Sequence, residues 1–283
     1  MALNSDMDSS RHPAAEDNDD IKGRYVYEYP RPAMTADNVI FGFDGERLQV
    51  LLVERGIDPY KGCWALPGGF MRMNETIDQC ARRELREETN VRDAYLEQFH
   101  VFSKPDRDPR GRVVTVAFIA LVRPEDHAVI GGDDASNAMW FDVESLPPLA
   151  FDHYDIVDMA RAYLKEQLSI KPVAFQLLNP VFTVDELRKV YEVITGNVYD
   201  RRNFQRKLMQ TRVVEDLTEQ DCYEAMPTEC KCNMSCEDLA DYDEMSRRKP
   251  KPRSRKLRFF RFNNSHKSES ESEDGSIKDL FNF

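Results

Sequence analysis

The densest concentration of groups able to do chemistry lies between Trp64 and Val91: Trp64-Ala-Leu-Pro-Gly-Gly-Phe70, then Glu75, then Arg83-Glu-Leu-Arg-Glu-Glu88. A Gly-Gly turn feeds a helix expected from Thr76 to Thr89, on which Glu84, Glu87 and Glu88 stand at i, i+3 and i+4 and share a face. Ile77, Cys80 and Ala81 extend that face toward the N-terminus, so the acids follow an apolar stripe and point toward the protein. Unpaired carboxylates there would repel one another and lose hydration, which calls for a positive partner. Oxygen-only donors clustered in this way suit a hard cation, Mg²⁺ or Mn²⁺, and the glycine turn lets a backbone carbonyl join them. Taken alone, the run also fits a solvated helix in which Arg82, Arg83 and Arg86 pair with the glutamates.

A second chemical segment, Asp106-Arg-Asp-Pro-Arg-Gly-Arg112, precedes a strongly apolar strand. Its arginines, Arg107, Arg110 and Arg112, are able to grip phosphate or ribose; the bland alternative is a hairpin loop with its charges in solvent. Asp152-His153 could reach the same ligand, although a lone histidine is more often structural.

The elements that must position these groups are legible from periodicity. Asn38-Val-Ile-Phe-Gly-Phe43 and Leu48-Gln-Val-Leu-Leu-Val53 flank Asp44-Gly45, a hairpin signal. Val113 to Val122 is too short for a membrane span and too β-branched for a helix, hence a buried central strand, and Trp140-Phe141 ends another strand. With a helix expected from Tyr154 to Leu168, the strands enclose one helix and are closed by a second, an α+β sandwich.

Pro172 marks a boundary. Beyond it Thr183-Val-Asp-Glu186 is a capping box opening an amphipathic helix, and Gly196 sits where a C-terminal cap belongs. A second helix, Asp200 to Gln210, carries Arg201, Arg202, Arg206 and Lys207, and the pair reads as a helix-turn-helix. Val213-Val214 then starts a strand, and Lys256 to Phe262 forms a late one. Between them residues 217 to 246 hold nine acids against one Lys, and 247 to 261 hold nine Lys or Arg and no acid. Cys222, Cys230, Cys232 and Cys236 lie in the acidic part without a C-x-x-C pair, so the expectation is a disordered insertion with free thiols rather than a zinc module.

Four divisions follow: a disordered acidic lead at 1–24, a first domain at 25–170, a second at 171–264 with the insertion at 217–246, and a disordered acidic tail at 265–283. The whole chain of 283 residues has 51 acidic and 39 basic side chains, net charge −12. That balance argues against coating nucleic acid by bulk charge and leaves room for a local basic patch. The N-terminus does not read as a secretion signal, no run is long enough for a membrane span, and the cysteines do not form a secreted disulfide framework, so a cytoplasmic location is expected.

The spacing of Gly69, Glu75, Arg83, Glu84, Leu85, Glu87, Glu88 and Val91 resembles the Nudix box, with Asn90 where that family has glycine. Asn is the next best residue for a left-handed helix end. The resemblance implies an α/β/α sandwich with a mixed sheet and metal-dependent hydrolysis of a nucleoside diphosphate derivative, ADP-ribose or a similar sugar nucleotide. It also implies that Glu84, Glu87, Glu88 and the Gly69 carbonyl hold Mg²⁺ or Mn²⁺, with Glu75 and Arg83 orienting them. The order of the two domains further resembles NrtR-like Nudix regulators, in which a Nudix sensor precedes a DNA-binding winged helix. This implies that Asn203, Phe204, Arg206 and Lys207 lie near the start of the recognition helix, that Arg201, Arg202, Asn203, Arg206 and Lys207 meet duplex DNA, and that a homodimer binds a palindromic site. Two functions therefore compete: a hydrolase supported by the metal carboxylates, and a ligand-responsive regulator with little or no catalysis supported by the winged helix.

Overall fold

A computed structural model describes residues 28–92, 94–126, 135–211, 213–217 and 258–263 of the chain. The expectations for the acidic lead, for residues 218–246 with their four cysteines, and for the acidic tail from 265 lie outside the described residues.

The hairpin signal folds as read. Strand β1 (Ala33–Phe43) returns as β2 (Leu48–Arg55), with Phe43 opposite Leu48. Asp44 accepts the Glu46 and Arg47 amides at 2.9 and 2.7 Å, while Gly45 takes a φ of 96° that side-chain-bearing residues rarely adopt. The apolar run Val113–Val122 is strand β6, lying parallel to β1 along ten residue pairs. Short strands β3 (Trp64–Ala65) and β4 (Gly68–Phe70), together with β5 (Tyr95–Phe102) and β7 (Ala135–Asp142), complete a seven-stranded mixed sheet with the path β3-β2-β1-β6-β5. On this path β4 adds to β1 and β7 to β2. Because β1 and β6 are covered on both faces, they are buried almost throughout rather than alternating.

Helix α1 (Ile77–Thr89) covers one face, with Leu85 packing near Ile40, and Cys80 and Ala81 near Ala36. Thr76 caps it by a reciprocal capping box with Gln79, an arrangement whose loss typically costs about 1 kcal/mol. Its other end closes on Asn90 at φ 58°, ψ 11°, whose amide donates to Arg86 O, so asparagine supplies the left-handed cap expected of glycine. Helix α2 (His153–Gln167) covers the opposite face, placing Ile156, Val157, Ala160 and Leu164 against Val39, Phe41 and Ile119. It begins one residue before the periodicity suggests.

The C-terminal elements are β8 (Val181–Thr183), α3 (Val184–Thr195), α4 (Arg201–Thr211), β9 (Val214–Leu217) and β10 (Phe259–Phe262). Thr183 and Glu186 form the capping box, and Gly196 ends α3 at φ 74°. The sheet order is β8-β10-β9, antiparallel throughout, so α4 leads into a strand pair as a winged helix-turn-helix does.

The core does not stop between the two units. Phe102, Ile119 and Ile156 belong to one buried cluster with Leu177, Phe182, Leu187, Phe204 and Phe260. A one-turn segment, Val173–Leu177, buries Val173, Ala174 and Leu177 at the junction. Truncating a side chain such as Phe204 would remove about 3–5 kcal/mol.

Candidate functional site

A cleft of about 270 Å³ opens where β1, β2, β4 and α1 meet the loop before β6. Close backbone approach builds it. Register pairs Gly69 with Ala36 and Gly68 with Asp37. A Cβ on Gly69 would stand 2.3 Å from Glu84 Oε1, and one on Gly68 would stand 2.3 Å from Ala36 O. Backbone packing therefore requires glycine at 68, while a Cβ at 69 would displace the Glu84 carboxylate.

Arg83 organises the acids of α1. Its Nε and Nη2 donate to the two oxygens of Glu75 at 2.9 and 2.7 Å, and Nη1 donates to Glu84 at 2.6 Å and Glu87 at 3.0 Å. Nη2 also reaches the Phe70 carbonyl at 3.1 Å. The bidentate bond from Arg83, reinforced by the Arg72 amide, holds the Glu75 carboxyl down at about 2. Burial pushes the Glu84 carboxyl up in spite of Arg83, because loss of hydration disfavours the charged form. Glu88 accepts the Gly68 amide at 2.8 Å, and the Gly69 carbonyl accepts the Cys80 thiol at 3.7 Å.

Glu84 and Glu88 line the cleft; Glu87 does not face inward with them. Its side chain is 42% exposed and lies 3.7 Å from Arg72. The reason is angular: three residues along a helix fall short of a full turn and four overshoot it, so Glu87 and Glu88 diverge to either side of Glu84. Among the described residues no three acidic, histidine or cysteine side chains converge closely enough to hold a metal ion as they stand, since Arg83 draws Glu84 and Glu87 and the Gly68 amide draws Glu88. The donor chemistry of Glu84, Glu87, Glu88 and the Gly69 carbonyl, oxygen atoms only, nonetheless fits a hard cation.

The three loop arginines separate. Arg107 reaches the cleft wall but is 8% exposed: it holds Asp152 through two bonds, 2.7 and 3.0 Å, and Asp37 at 3.4 Å. Arg110 lines the mouth and pairs with Asp108 at 2.7 Å. Arg112 is not brought to the cleft. Its carbonyl accepts the Ala33 amide, fixing the backbone in the sheet, and its guanidinium turns to the Lys104 and Val113 carbonyls.

His153 is buried at the back of the cleft and accepts the Leu66 amide on Nδ1 at 2.9 Å, which leaves its proton on Nε2, 4.0 Å from Asp37. Burial lowers its pKa and keeps it neutral.

Sequence reasoning passed over Asp37, Arg55, Phe70, Asp108 and Phe151, all of which line the cleft. Asp37 carried a usable signal, a carboxylate inside the otherwise uncharged strand β1. The others are ordinary loop or strand-end residues brought together by the fold.

In the second unit, α4 buries Phe204 and Leu208 and exposes Arg201, Arg202, Asn203, Arg206 and Lys207. Arg201 is engaged with Asp185 of α3 at 2.7 Å, and Arg206 with Asn203 at 3.1 Å. In the small sheet Arg261 pairs with Glu215 at 3.0 Å and Arg258 pairs with Asp216.

Comparison with known proteins agrees with this division. Residues 31–160 match the NUDIX domain, and residues 174–226 match the NrtR DNA-binding winged helix domain. The chain is 36% identical over 193 residues to a protein of Acinetobacter baylyi named ADPR responsive transcriptional repressor NtrR, covering 67% of this chain and 77% of that one. It is 41% identical over 129 residues to an ADP-ribose pyrophosphatase of Methanocaldococcus jannaschii, covering 46% and 73%. In structure it is similar to Shewanella oneidensis NrtR complexed with a 27mer DNA, with TM-score 0.62, 29% identity, and coverage of 81% of this chain and 93% of that one. No helix among the described residues is long and apolar enough to cross a membrane. With its glutamate box folded over a glycine turn and a winged helix sharing its core, the chain belongs to the Nudix family, in the branch that carries an NrtR-type winged-helix domain.

Proposed function

We propose that this protein is a DNA-binding regulator whose Nudix cleft takes a nucleoside diphosphate sugar of the ADP-ribose type and, with Mg²⁺ or Mn²⁺, hydrolyses it. The division falls at residues 170 and 171. The observation that carries the reading is the single buried cluster joining the cleft-bearing sheet to the winged helix: a ligand that changes the packing of one unit acts on the other through contiguous side chains. The names of the Acinetobacter and Methanocaldococcus relatives support ADP-ribose as the ligand class.

Glu84, Glu87, Glu88 and the Gly69 carbonyl would hold the cation, which when bound offsets phosphate charge and lowers the pKa of a bound water. Glu75 fixes Arg83, and Arg83 in turn sets the orientation of Glu84 and Glu87. Arg110 offers its charge to the pyrophosphate at the mouth. Two copies of the chain would present two α4 helices about one turn of DNA apart, giving a palindromic site.

A second reading, regulation without turnover, is favoured by Arg83, which already neutralises oxygens of both Glu84 and Glu87. One experiment separates the two. Full-length protein is incubated with ADP-ribose, with and without Mg²⁺, and AMP and ribose 5-phosphate are measured; in parallel, affinity for a DNA site found by random-site selection is measured with and without ADP-ribose. Mg²⁺-dependent product together with a ligand-dependent change in DNA affinity is the expected result. A DNA response without product leaves the regulator alone, and neither response overturns the proposal. Glu88→Gln should abolish most product formation and retain the DNA response.

A further inference from the structure

Helix α2 touches both functional ends of the molecule. Its N-cap residue, Asp152, accepts Arg107 at 2.7 and 3.0 Å, and Arg107 and His153 both line the cleft. His153, the first residue of the helix, accepts the Leu66 amide at 2.9 Å, so two side chains fix the start of α2 to the cleft wall. From His153 to Lys165 the helix rises about 18 Å. There Lys165 reaches the second unit, where its Nζ donates to the Thr195 carbonyl of α3 at 2.8 Å. Between these ends Ile156, Val157, Ala160 and Leu164 pack into the buried cluster, and a close-packed helix shifts as a body rather than deforming.

Thr195 is the last residue of α3, where carbonyls lack helical partners and the helix dipole is negative. No basic residue of α3 itself occupies its last turn, so the cation at this helix end comes from the Nudix unit. The same residue organises the turn into α4. Its Oγ1 accepts the Asn197 amide and the Tyr199 hydroxyl, both at 3.2 Å, and the Tyr199 amide donates back to Glu192 at 3.0 Å. The Tyr199 ring lies 5.9 Å from that of Phe204, the buried anchor of α4. A displacement of Thr195 therefore carries Tyr199 and the start of α4 with it.

From this arrangement we infer that α2 is the lever between the cleft and the DNA-binding helix, with Lys165 as its point of action on the Thr195 carbonyl. The inference rests on the ligand-responsive regulator reading above and names the contact that delivers the response. Ligand in the cleft meets the wall that Arg107 forms, and Arg107 is the residue that holds Asp152. A shift of that pair moves the start of α2, and the rigid helix passes the movement to Lys165. A dimer on a palindromic site is sensitive to it, because two α4 helices must keep the spacing of successive major grooves. Lys165 is exposed and does not line the cleft, so its loss alters communication and leaves ligand recognition intact.

The test uses the full chain with Lys165→Met, which removes the ammonium and keeps the apolar stem, and Lys165→Arg, which keeps a donor. Affinity for a DNA site found by random-site selection is measured with and without saturating ADP-ribose, and ADP-ribose affinity with and without that DNA. Mg²⁺ is omitted so that the ligand persists. Linkage requires the two coupling factors to be equal. The expected result is that Lys165→Met lowers both together by about two- to fivefold, the scale of a cation at a helix end. ADP-ribose affinity without DNA stays unchanged, and Lys165→Arg keeps the wild-type factor. Asp152→Asn, at the cleft end, should also lower the factor, and the double variant should fall no further than the stronger single one. Lys165→Met is exposed and remains decisive if Asp152→Asn fails to fold. A wild-type factor in Lys165→Met overturns the lever while the regulator reading stands. Loss of ADP-ribose affinity without DNA in Lys165→Met, or additive effects in the double variant, also overturns it, because the two ends would then act independently. A wild type whose DNA affinity ignores ADP-ribose overturns the regulator reading and the lever with it.

Discussion

Lys171 Nζ lies 2.5 Å from Glu97 Oε1, so a residue of β5 in the Nudix sheet grips the segment that enters the winged helix. Glu97 also accepts the hydroxyls of Tyr163 on α2, at 2.9 Å, and of Tyr95. One carboxylate therefore joins the sheet, the covering helix and the interdomain segment. Burial works to raise the Glu97 carboxyl, but Lys171, Tyr95 and Tyr163 outweigh it and hold it below the usual range.

The first prediction concerns that carboxylate. A carboxyl lowered in the folded state contributes stability that is present above its unfolded value, about 4.3, and is lost as pH falls through the folded one. Glu97→Gln should lower unfolding free energy at pH 7 by about 1–3 kcal/mol, the scale of hydrogen bonds to a charged group. The difference between variant and wild type should shrink on going from pH 7 to pH 4. Urea titrations at the two pH values measure it; a difference that grows toward pH 4 would contradict the assignment.

A second prediction isolates the bond between Glu75 and Arg83. With the Glu75 carboxyl held at about 2, its contribution to stability persists well below pH 4.3 and vanishes only as pH approaches 2. Glu75→Gln should abolish that acid-range contribution and, by freeing the Arg83 guanidinium, reduce turnover at pH 7 by tenfold or more without loss of fold. Arg83→Lys should also fail to restore the wild-type rate, since an ammonium cannot make the two parallel bonds. Circular dichroism from pH 2 to 5 and product assays at pH 7 check both parts.

The third prediction separates positioning from base reading on α4. Arg202→Ala should weaken DNA binding similarly on all sequences and reduce the slope of log affinity against log salt by about 1. Asn203→Ala should instead cost about 1–3 kcal/mol on the selected site and relax preference at one base pair. Arg201→Ala should cost less than Arg202→Ala, because Arg201 is already committed to Asp185 at 2.7 Å. Fluorescence anisotropy across a salt series distinguishes these outcomes.

Local chemistry made much of this protein legible from its sequence. The Asp44-Gly45 turn, the capping boxes at Thr76 and Thr183, the caps at Asn90 and Gly196, and the apolar strand Val113–Val122 each depend on a few adjacent residues whose backbone preferences or periodicity act within one element. The glutamate spacing was legible for the same reason, since a helix fixes which of its own side chains are neighbours. What tertiary structure decided is everything that depends on which elements meet. Glu84 and Glu88 face a cleft only because the sheet brings Gly69 beside the one and the Gly68 amide to the other, while Glu87, set apart by the helix angle, pairs with Arg83 and Arg72. Arg107 is buried between Asp37 and Asp152, residues 70 and 45 positions away, whereas Arg112, five residues further along the same loop, is turned out of the cleft by its backbone bond to Ala33. Phe70 and Phe151 reach one mouth from opposite ends of the domain. A sequence period records the angle between side chains on one element and carries nothing about the distance between two, so charge pairs and clefts become visible only when the sheet is assembled.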